Sequence, residues 1–187
     1  MVMINERAPD FELKAFHENK IKKIDLFNYR DKWVVLFFYP ADFSFICPTE
    51  LGEIANKYEY LKKIGVEVLS ISTDTEFSHK AWHETSESIK KIKFPMLADP
   101  TGKVSKQYGT YLEEEGVSVR ATFIINPEGI IKTFEMHENT IGRSTDELIR
   151  KIKALQFLEK NKGLLCPVNW DEGKEALKPD VEIIGKL

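Results

Sequence analysis

The sequence predicts an α/β fold, because strand and helix signals alternate along its 187 residues. The first strong signal is residues 33–39, an uninterrupted apolar run rich in β-branched and aromatic side chains, as in a buried strand. Residues 48–63 follow with apolar side chains at helical spacing. Residues 66–72 then form a second apolar, strand-like run. These three segments are the strongest signals for the α/β class.

The elements before and within this core have local start and stop signals. Residues 11–16 and 20–24 predict a short hairpin that turns at residues 17–19. Pro48 suits the first turn of a helix, where its missing N–H removes no hydrogen bond. Gly65 is a typical residue for ending that helix.

The alternation continues beyond residue 72 up to a final helix. The predicted segments are, in order, a helix capped within 73–75 that runs to about 89, an extended piece at 94–97, a turn at 99–102, one or two helical turns at 104–108, and a hairpin of strands 121–125 and 130–135 around a turn at 126–129. Ser144 is expected to cap a helix over 145–159, with Glu147 completing a capping box.

The chain after Gly163 changes character and becomes irregular. It contains Trp170, Val181 and other apolar residues, so we expect it to pack on something, for which a second subunit is the natural candidate. The sequence therefore predicts a main domain over residues 1–160 and a C-terminal extension over 161–187.

Composition excludes several classes of protein. Hydrophobic residues make up 42% and charged residues 30%, and the net charge of −3 favours neither nucleic acid nor an anionic membrane as a partner. The longest apolar run has seven residues, far short of a bilayer span, and the charged N-terminal segment does not resemble a signal peptide. We therefore expect a cytoplasmic protein.

The chain has only two cysteines, Cys47 and Cys166. Two thiols are too few for a disulfide framework or for a metal site made of thiolates alone. Cys47 stands where the predicted helix begins, and a helix N-terminus stabilises an anion such as a thiolate. The alternative is a buried structural thiol. A bridge between the two cysteines would close a long loop within one chain or join two chains, and their spacing does not decide between these.

Four segments resemble the peroxiredoxin family. The stretch P-A-D-F-S-F-I-C-P-T-E, residues 40–50, is similar to the family's active-site signature, and Arg120 in V-R-A-T-F-I-I-N-P matches its active-site arginine. The tail L-C-P-V-N-W resembles the C-terminus of typical two-cysteine members, which in this chain ends E-I-I-G-K-L. Residues 72–83 resemble the bacterial alkyl hydroperoxide reductase C branch. The similarity extends over essentially the whole chain.

This resemblance implies a fold and a reaction. The fold is thioredoxin-like, a central mixed sheet flanked by helices, with an N-terminal hairpin and a C-terminal extension. The reaction is the reduction of hydrogen peroxide and organic hydroperoxides by a thiolate, which becomes a sulfenic acid. The resemblance implies no cofactor and no metal ion in this chain.

The resemblance also implies roles for individual residues. Cys47 is the peroxidatic thiol, and Cys166 of another subunit is the resolving thiol. Arg120 holds the thiolate and the peroxide with fixed N–H donors. The catalytic set continues with three more residues: the Ser44 hydroxyl positions the peroxide, Pro40 shields the site, and Glu50 orients Arg120.

The same resemblance implies partners. It predicts a homodimer with an intersubunit disulfide, assembling as a decamer of five dimers. A flavoprotein disulfide reductase, or else a thioredoxin-like donor, would restore the thiols.

The chain departs from the family in two places. Ser44 replaces the commoner threonine. The Gly-Gly-Leu-Gly loop and C-terminal Tyr-Phe pair of overoxidation-sensitive relatives are missing from the sequence, so we expect a mobile tail and resistance to overoxidation.

Several other interpretations stay open at this point. The same thiol pair would serve a redox sensor or holdase chaperone. A thioredoxin-like disulfide exchanger is disfavoured because no C-x-x-C pair is present, and a structural interchain disulfide is disfavoured in the cytoplasm. His79 and His83 have a ligand-like spacing, but we expect them on a partly exposed helix face rather than on a metal.

Overall fold

The computed structural model describes residues 2–185, which form two compact units that divide between Arg143 and Ser144. The strands are numbered in chain order: β1 (Glu12–His17), β2 (Lys20–Asp25), β3 (Trp33–Phe38), β4 (Val66–Ser72), β5 (Met96–Ala98), β6 (Tyr111–Leu112), β7 (Val117–Ser118), β8 (Arg120–Ile125) and β9 (Ile131–His137). The helices are α1 (Cys47–Lys63), α2 (Glu76–Thr85), α3 (Lys103–Tyr108) and α4 (Thr145–Lys160). The expected division at residues 160 and 161 stays a prediction, and its end residues Met1, Lys186 and Leu187 lie outside the described part of the chain.

The first unit contains a mixed seven-stranded sheet in the order β2-β1-β5-β4-β3-β8-β9. Strands β3, β4 and β5 run parallel, whereas β1, β2, β8 and β9 pair with their neighbours in antiparallel fashion. On this sheet, helix α1 packs against β4, and helix α2 packs against β1 and β5. This is the thioredoxin-like α/β arrangement that was expected.

Strand β3 is the centre of the hydrophobic core. All six of its residues are buried, and alternate ones, Val34, Leu36 and Phe38, share a cluster with Tyr108 and Phe123. The Tyr108 and Phe123 rings meet edge to face, with centroids 5.1 Å apart. Burying one such large side chain stabilises the fold by roughly 1.5–3 kcal/mol, so this face fixes the strand that leads to Cys47.

The predicted N-terminal hairpin and core strands are confirmed, whereas the helix after β4 is shorter than predicted. Helix α2 ends at Thr85 because Ser86 turns to extended backbone angles while its N–H still bonds to the Trp82 carbonyl. A separate 3-10 turn, Ile89–Lys91, then buries Ile89. The short ribbon β6–β7 was not predicted from the sequence.

The second unit consists of α4 and the segment after it. The Ser144 hydroxyl accepts the Glu147 N–H as predicted, but the Glu147 carboxylate binds the Arg150 guanidinium rather than reaching back to Ser144. Trp170 is only 2% exposed, and its ring lies 4.7 Å from that of Phe157 in α4. The tail is therefore partly packed within its own unit.

Other apolar tail residues face solvent in the single chain. Val168 is 88% exposed and Val181 is 83% exposed. The expectation that a second subunit covers the tail stays a prediction.

Candidate active site

Cys47 is the first residue of α1, as the sequence predicted to within one position. The N-cap residue Ile46 makes no side-chain capping bond, and its carbonyl accepts the N–H groups of Thr49 and Glu50. Cys47 itself is fully buried and is a free thiol. Its sulfur therefore lies at the positive end of a helix dipole and away from bulk water.

Arg120 brings a positive charge to this sulfur. It begins β8, whose next residue, Ala121, pairs with Phe38 at the end of β3. Sheet register therefore carries the Arg120 side chain to the end of β3, from which the chain leads to Cys47. The Nη1 atom of Arg120 donates to the Cys47 Sγ across 3.3 Å, and Arg120 is only 3% exposed.

Glu50 lies on the other side of the same guanidinium nitrogen. Its Oε2 atom accepts from Arg120 Nη1 at 2.8 Å. Burial would raise the pKa of Glu50, but the hydrogen bonds and charge of Arg143, together with the charge of Arg120, hold it below its ordinary value. Glu50 is therefore an ionised carboxylate in contact with both arginines.

Arg143 is the part of this network that the sequence did not reveal. Its Nε and backbone N–H donate to Glu50 Oε1 at 2.9 and 2.7 Å, and its Nη2 donates to Oε2 at 2.9 Å. Its Nη1 donates to the carbonyls of Phe38 and Ala121, and its Cζ lies 3.4 Å from the centre of the Phe37 ring. An arginine just before the Ser144 cap resembles an ordinary surface residue, so no signal distinguished it.

Ser44 and Pro40 lie in the segment between β3 and α1, and both are half-buried. The Ser44 hydroxyl donates to the Ala41 carbonyl at 2.7 Å, which leaves its oxygen lone pairs available as acceptors. Between them, Phe43 has a φ of 54°, a left-handed conformation that is unfavourable for an aromatic residue. This segment is therefore held in an uncommon backbone shape.

A buried polar cluster anchors the segment, and it corrects the expectation for His79. His79 is fully buried rather than on a partly exposed helix face. Its Nε2 faces the Leu97 carbonyl at 3.1 Å, and its Nδ1 lies 2.8 Å from an Asp42 carboxylate oxygen. Asp42 also accepts hydrogen bonds from Tyr39 and Ser78. The sequence did not show this, because the Asp42–His79 contact joins residues 37 positions apart.

His83, which shares the ligand-like spacing with His79, contacts a backbone carbonyl. The Nε2 atom of His83 lies 3.1 Å from the Ile92 carbonyl. Within residues 2–185, no group of three or more His, Cys, Asp or Glu side chains is arranged to hold a metal ion.

Cys166 lies in the second unit and is a half-buried free thiol. Burial raises the pKa of Cys166, and the positive charge of Arg150 opposes that rise. Arg150 donates to the Trp170 carbonyl at 2.9 Å and to both Glu147 carboxylate oxygens. The segment that carries Cys166 is thus tied to α4.

Among the predicted site residues, the structure brings Cys47, Arg120 and Glu50 into direct contact and places Ser44 and Pro40 in the segment leading to Cys47.

In the part of the chain that is described, no helix is long and apolar enough to cross a membrane.

Comparison with known proteins gives two family matches. Residues 4–134 match the AhpC/TSA family, and residues 154–187 match the C-terminal domain of 1-Cys peroxiredoxin. In this chain the second range includes a cysteine, Cys166.

Curated relatives and solved structures agree with these matches. The chain is 45% identical to alkyl hydroperoxide reductase C of Salmonella typhimurium, with all of both chains covered. The crystal structure of Enterococcus faecalis AhpC is 44% identical, with a TM-score of 0.86, covering 89% of this chain and 100% of that one. The reduced 2-Cys peroxiredoxin of Plasmodium vivax is 35% identical, with a TM-score of 0.92, covering 97% and 96%. By sequence, fold and site, the chain belongs to the AhpC/TSA family and is a peroxiredoxin, an enzyme of the thiol peroxidase class.

Proposed function

We propose that this peroxiredoxin reduces hydrogen peroxide and organic hydroperoxides, with Cys47 as the nucleophile. The observation that carries the proposal is the 3.3 Å contact between Arg120 Nη1 and Cys47 Sγ in a buried site. A thiolate is the reactive form of cysteine, and a guanidinium that stays charged at any working pH stabilises it.

The first step oxidises Cys47. The thiolate sulfur attacks one peroxide oxygen, an S–O bond forms and the O–O bond breaks. Sulfur is oxidised to the sulfenic acid, the peroxide oxygens are reduced, and the leaving oxygen takes a proton to become an alcohol or water. Negative charge develops on that leaving oxygen, so donors in a dry site accelerate the step.

Arg120 has donors available for this charge. Its Nε donates a hydrogen bond to the Asn139 carbonyl, and its Nη1 donates to the Cys47 sulfur and to the Glu50 carboxylate. The two N–H groups of Nη2 have no acceptor among the residues that the structure describes. We assign to Nη2 the binding of the peroxide oxygens.

Ser44 and Pro40 have supporting roles in this proposal. The Ser44 hydroxyl already donates its proton to the Ala41 carbonyl. We therefore assign the Ser44 oxygen as the acceptor of a hydrogen bond from the peroxide O–H. Pro40 has no N–H, so it covers the site without competing for hydrogen bonds. Glu50 holds Arg120 in place through the 2.8 Å bond.

The second step is assigned to Cys166 of another subunit. Its thiolate attacks the Cys47 sulfenic sulfur, an S–S bond forms and the S–O bond breaks, and the departing hydroxide takes a proton to become water. A disulfide requires the two sulfurs to lie about 2.05 Å apart, and Cys47 has no exposed surface, so the first turn of α1 must open. In this proposal residues 161–187 are the extension that delivers Cys166, within a homodimer that assembles as a decamer.

The cycle needs an outside reductant. The relative named alkyl hydroperoxide reductase C supports a reductase partner, which we assign as a flavoprotein disulfide reductase or a thioredoxin-like donor in the cytoplasm. The partner's dithiol would exchange with the Cys47–Cys166 disulfide and release both thiols.

Peroxide consumption with excess dithiothreitol tests the proposal. Wild type should turn over, Cys47→Ser should lose turnover, and Cys166→Ser should keep much of it because dithiothreitol reduces the sulfenic acid directly. Disulfide formation without turnover in wild type would contradict the enzyme function. A non-reducing gel reports whether the disulfide joins two chains.

A further inference from the structure

The Arg120 side chain is fixed by one residue outside the contacts that surround the thiol. The carbonyl of Asn139 accepts from Arg120 Nε at 2.9 Å. The Asn139 side-chain Oδ1 accepts the backbone N–H of Arg120 at 3.2 Å. One residue therefore holds Arg120 at both its backbone and its guanidinium.

Asn139 differs in charge and in chemistry from Cys47 and Glu50, the other two residues that bind the Arg120 guanidinium. Cys47 changes its charge and its bonding during the reaction proposed above, and Glu50 is shared with Arg143. Asn139 is neutral and takes no part in the oxidation, so its bonds to Arg120 do not depend on the state of the sulfur.

The position of Nη2 follows from these bonds. A guanidinium is planar and rigid, so fixing Nε on one side and Nη1 on another leaves a single direction for the two Nη2 hydrogens. Rotation of the Arg120 guanidinium would break its Nε bond to Asn139 as well as its Nη1 bonds to Cys47 and Glu50.

The loop after β9 makes this anchor possible. Asn139 itself is half-buried, whereas its neighbours Glu138, Thr140 and Ile141 are exposed. The Thr140 side chain and N–H both bond to the Glu138 carboxylate, and the Ile141 N–H bonds to the Glu138 carbonyl. The loop is thus ordered by its own contacts, and Asn139 is the residue through which it bonds to Arg120.

We propose that Asn139 is a positioning residue for the peroxide reaction, which aims the free N–H pair of Arg120 at the position where the O–O bond breaks. This inference rests on the function proposed for Cys47. The Asn139 Oδ1 ties the loop to the Arg120 backbone and so keeps the Asn139 carbonyl against Arg120 Nε. Loss of this side-chain acceptor is therefore predicted to slow oxidation of Cys47 without changing the later formation of the disulfide.

The test compares three full-length variants by stopped-flow fluorescence, using hydrogen peroxide as the probe. Asn139→Ala should lower the second-order rate constant of the oxidation phase about five- to tenfold, the value of one hydrogen bond. Asn139→Asp keeps an acceptor of the same shape but adds a negative charge, so it should recover part of the rate that is lost in Asn139→Ala. Thr140→Ala disturbs the same loop without touching Arg120 and should match wild type. The disulfide phase should be unchanged in all three.

Four outcomes would overturn the inference. These are an oxidation rate in Asn139→Ala within twofold of wild type, an equal loss in Thr140→Ala, no recovery of the rate in Asn139→Asp, or a disulfide phase in Asn139→Ala that slows together with oxidation, as in a variant that loses its fold. Failure of the proposed function is distinct, because wild type would then show no oxidation phase that Cys47→Ser removes.

Discussion

The guanidinium Nη1 of Arg120 lies 3.3 Å from the sulfur of Cys47, inside a site where both residues are buried. A buried charge is expensive to desolvate unless it is paired. Arg120 is paired on the same nitrogen with the Glu50 carboxylate at 2.8 Å. The site therefore contains a positive charge that is held by protein groups before any substrate arrives.

Replacing Arg120 should remove most of the peroxide reaction. Arg120→Met removes the charge and all donors, and we expect the rate constant for Cys47 oxidation to fall about 100-fold, the usual effect of losing such a donor. Arg120→Lys keeps the charge but loses the planar fork that reaches Cys47, Glu50 and Asn139 together, so it should recover only part of the rate. Stopped-flow fluorescence measures both. Full activity in Arg120→Met would contradict the assignment.

Ser44 is predicted to act through its hydroxyl. Ser44→Thr keeps the hydroxyl and should change activity only modestly, whereas Ser44→Ala should lower it strongly, because the peroxide O–H loses its acceptor. Steady-state peroxide consumption with dithiothreitol compares the two variants. A fully active Ser44→Ala enzyme would refute the role given to this hydroxyl.

Arg143 should be essential for stability. Arg143→Met removes a positive charge and two side-chain hydrogen bonds from the buried Glu50 carboxylate, and it takes a donor away from the Phe38 and Ala121 carbonyls, so we expect a loss of about 3 kcal/mol in the free energy of unfolding. Urea unfolding followed by circular dichroism measures this. Lys23→Met, which breaks an exposed pair with Glu12, is the control and should leave the free energy of unfolding nearly unchanged. Equal effects would show that the Glu50–Arg143 pair contributes little.

The lowered pKa of Glu50 predicts a pH dependence of stability. The charged form is favoured in the folded state, so its contribution is present above the ordinary pKa of 4.5 and is lost as the pH falls through the lower, folded value. Glu50→Gln should be less stable than wild type at pH 7, and the difference should shrink between about pH 5 and pH 3. Thermal unfolding over this range tests it. A difference that stays constant with pH would contradict ionisation of Glu50.

The raised pKa of Cys166 predicts that the disulfide phase accelerates as the pH rises, because the attacking group is the thiolate. Arg150→Met removes the charge that opposes this rise, so the pH midpoint of that phase should move upward, while Arg150→Lys should stay near wild type. Stopped-flow traces at a series of pH values give the midpoints. An identical midpoint in Arg150→Met would refute an electrostatic effect of Arg150.

Local patterns predicted much of the fold. Strand β3 and the start of α1 are set by neighbouring residues, namely an apolar run and a proline in the first helical turn. The end of α2 was missed because Ile89 is buried through a separate 3-10 turn, and a periodic apolar pattern does not show a break in the helix.

Only the site residues that belong to a recognisable sequence motif could be predicted. Cys47, Ser44, Pro40 and Glu50 lie within eleven consecutive residues of one signature, 40–50. Arg143 bonds to Glu50 from 93 positions away, and Asn139 bonds to Arg120 from an irregular loop. Such contacts depend on the tertiary fold, so no local spacing shows them.

The most direct test of the central claim is to identify the sulfur that reacts with peroxide. Cys166→Ser protein is treated with one equivalent of hydrogen peroxide in the presence of dimedone, which traps sulfenic acids, and is then mapped by mass spectrometry. We expect a dimedone adduct on Cys47, and no adduct when Cys47→Ser is combined with Cys166→Ser. An unmodified Cys47 under conditions in which wild type consumes peroxide would show that Cys47 is not the peroxidatic thiol.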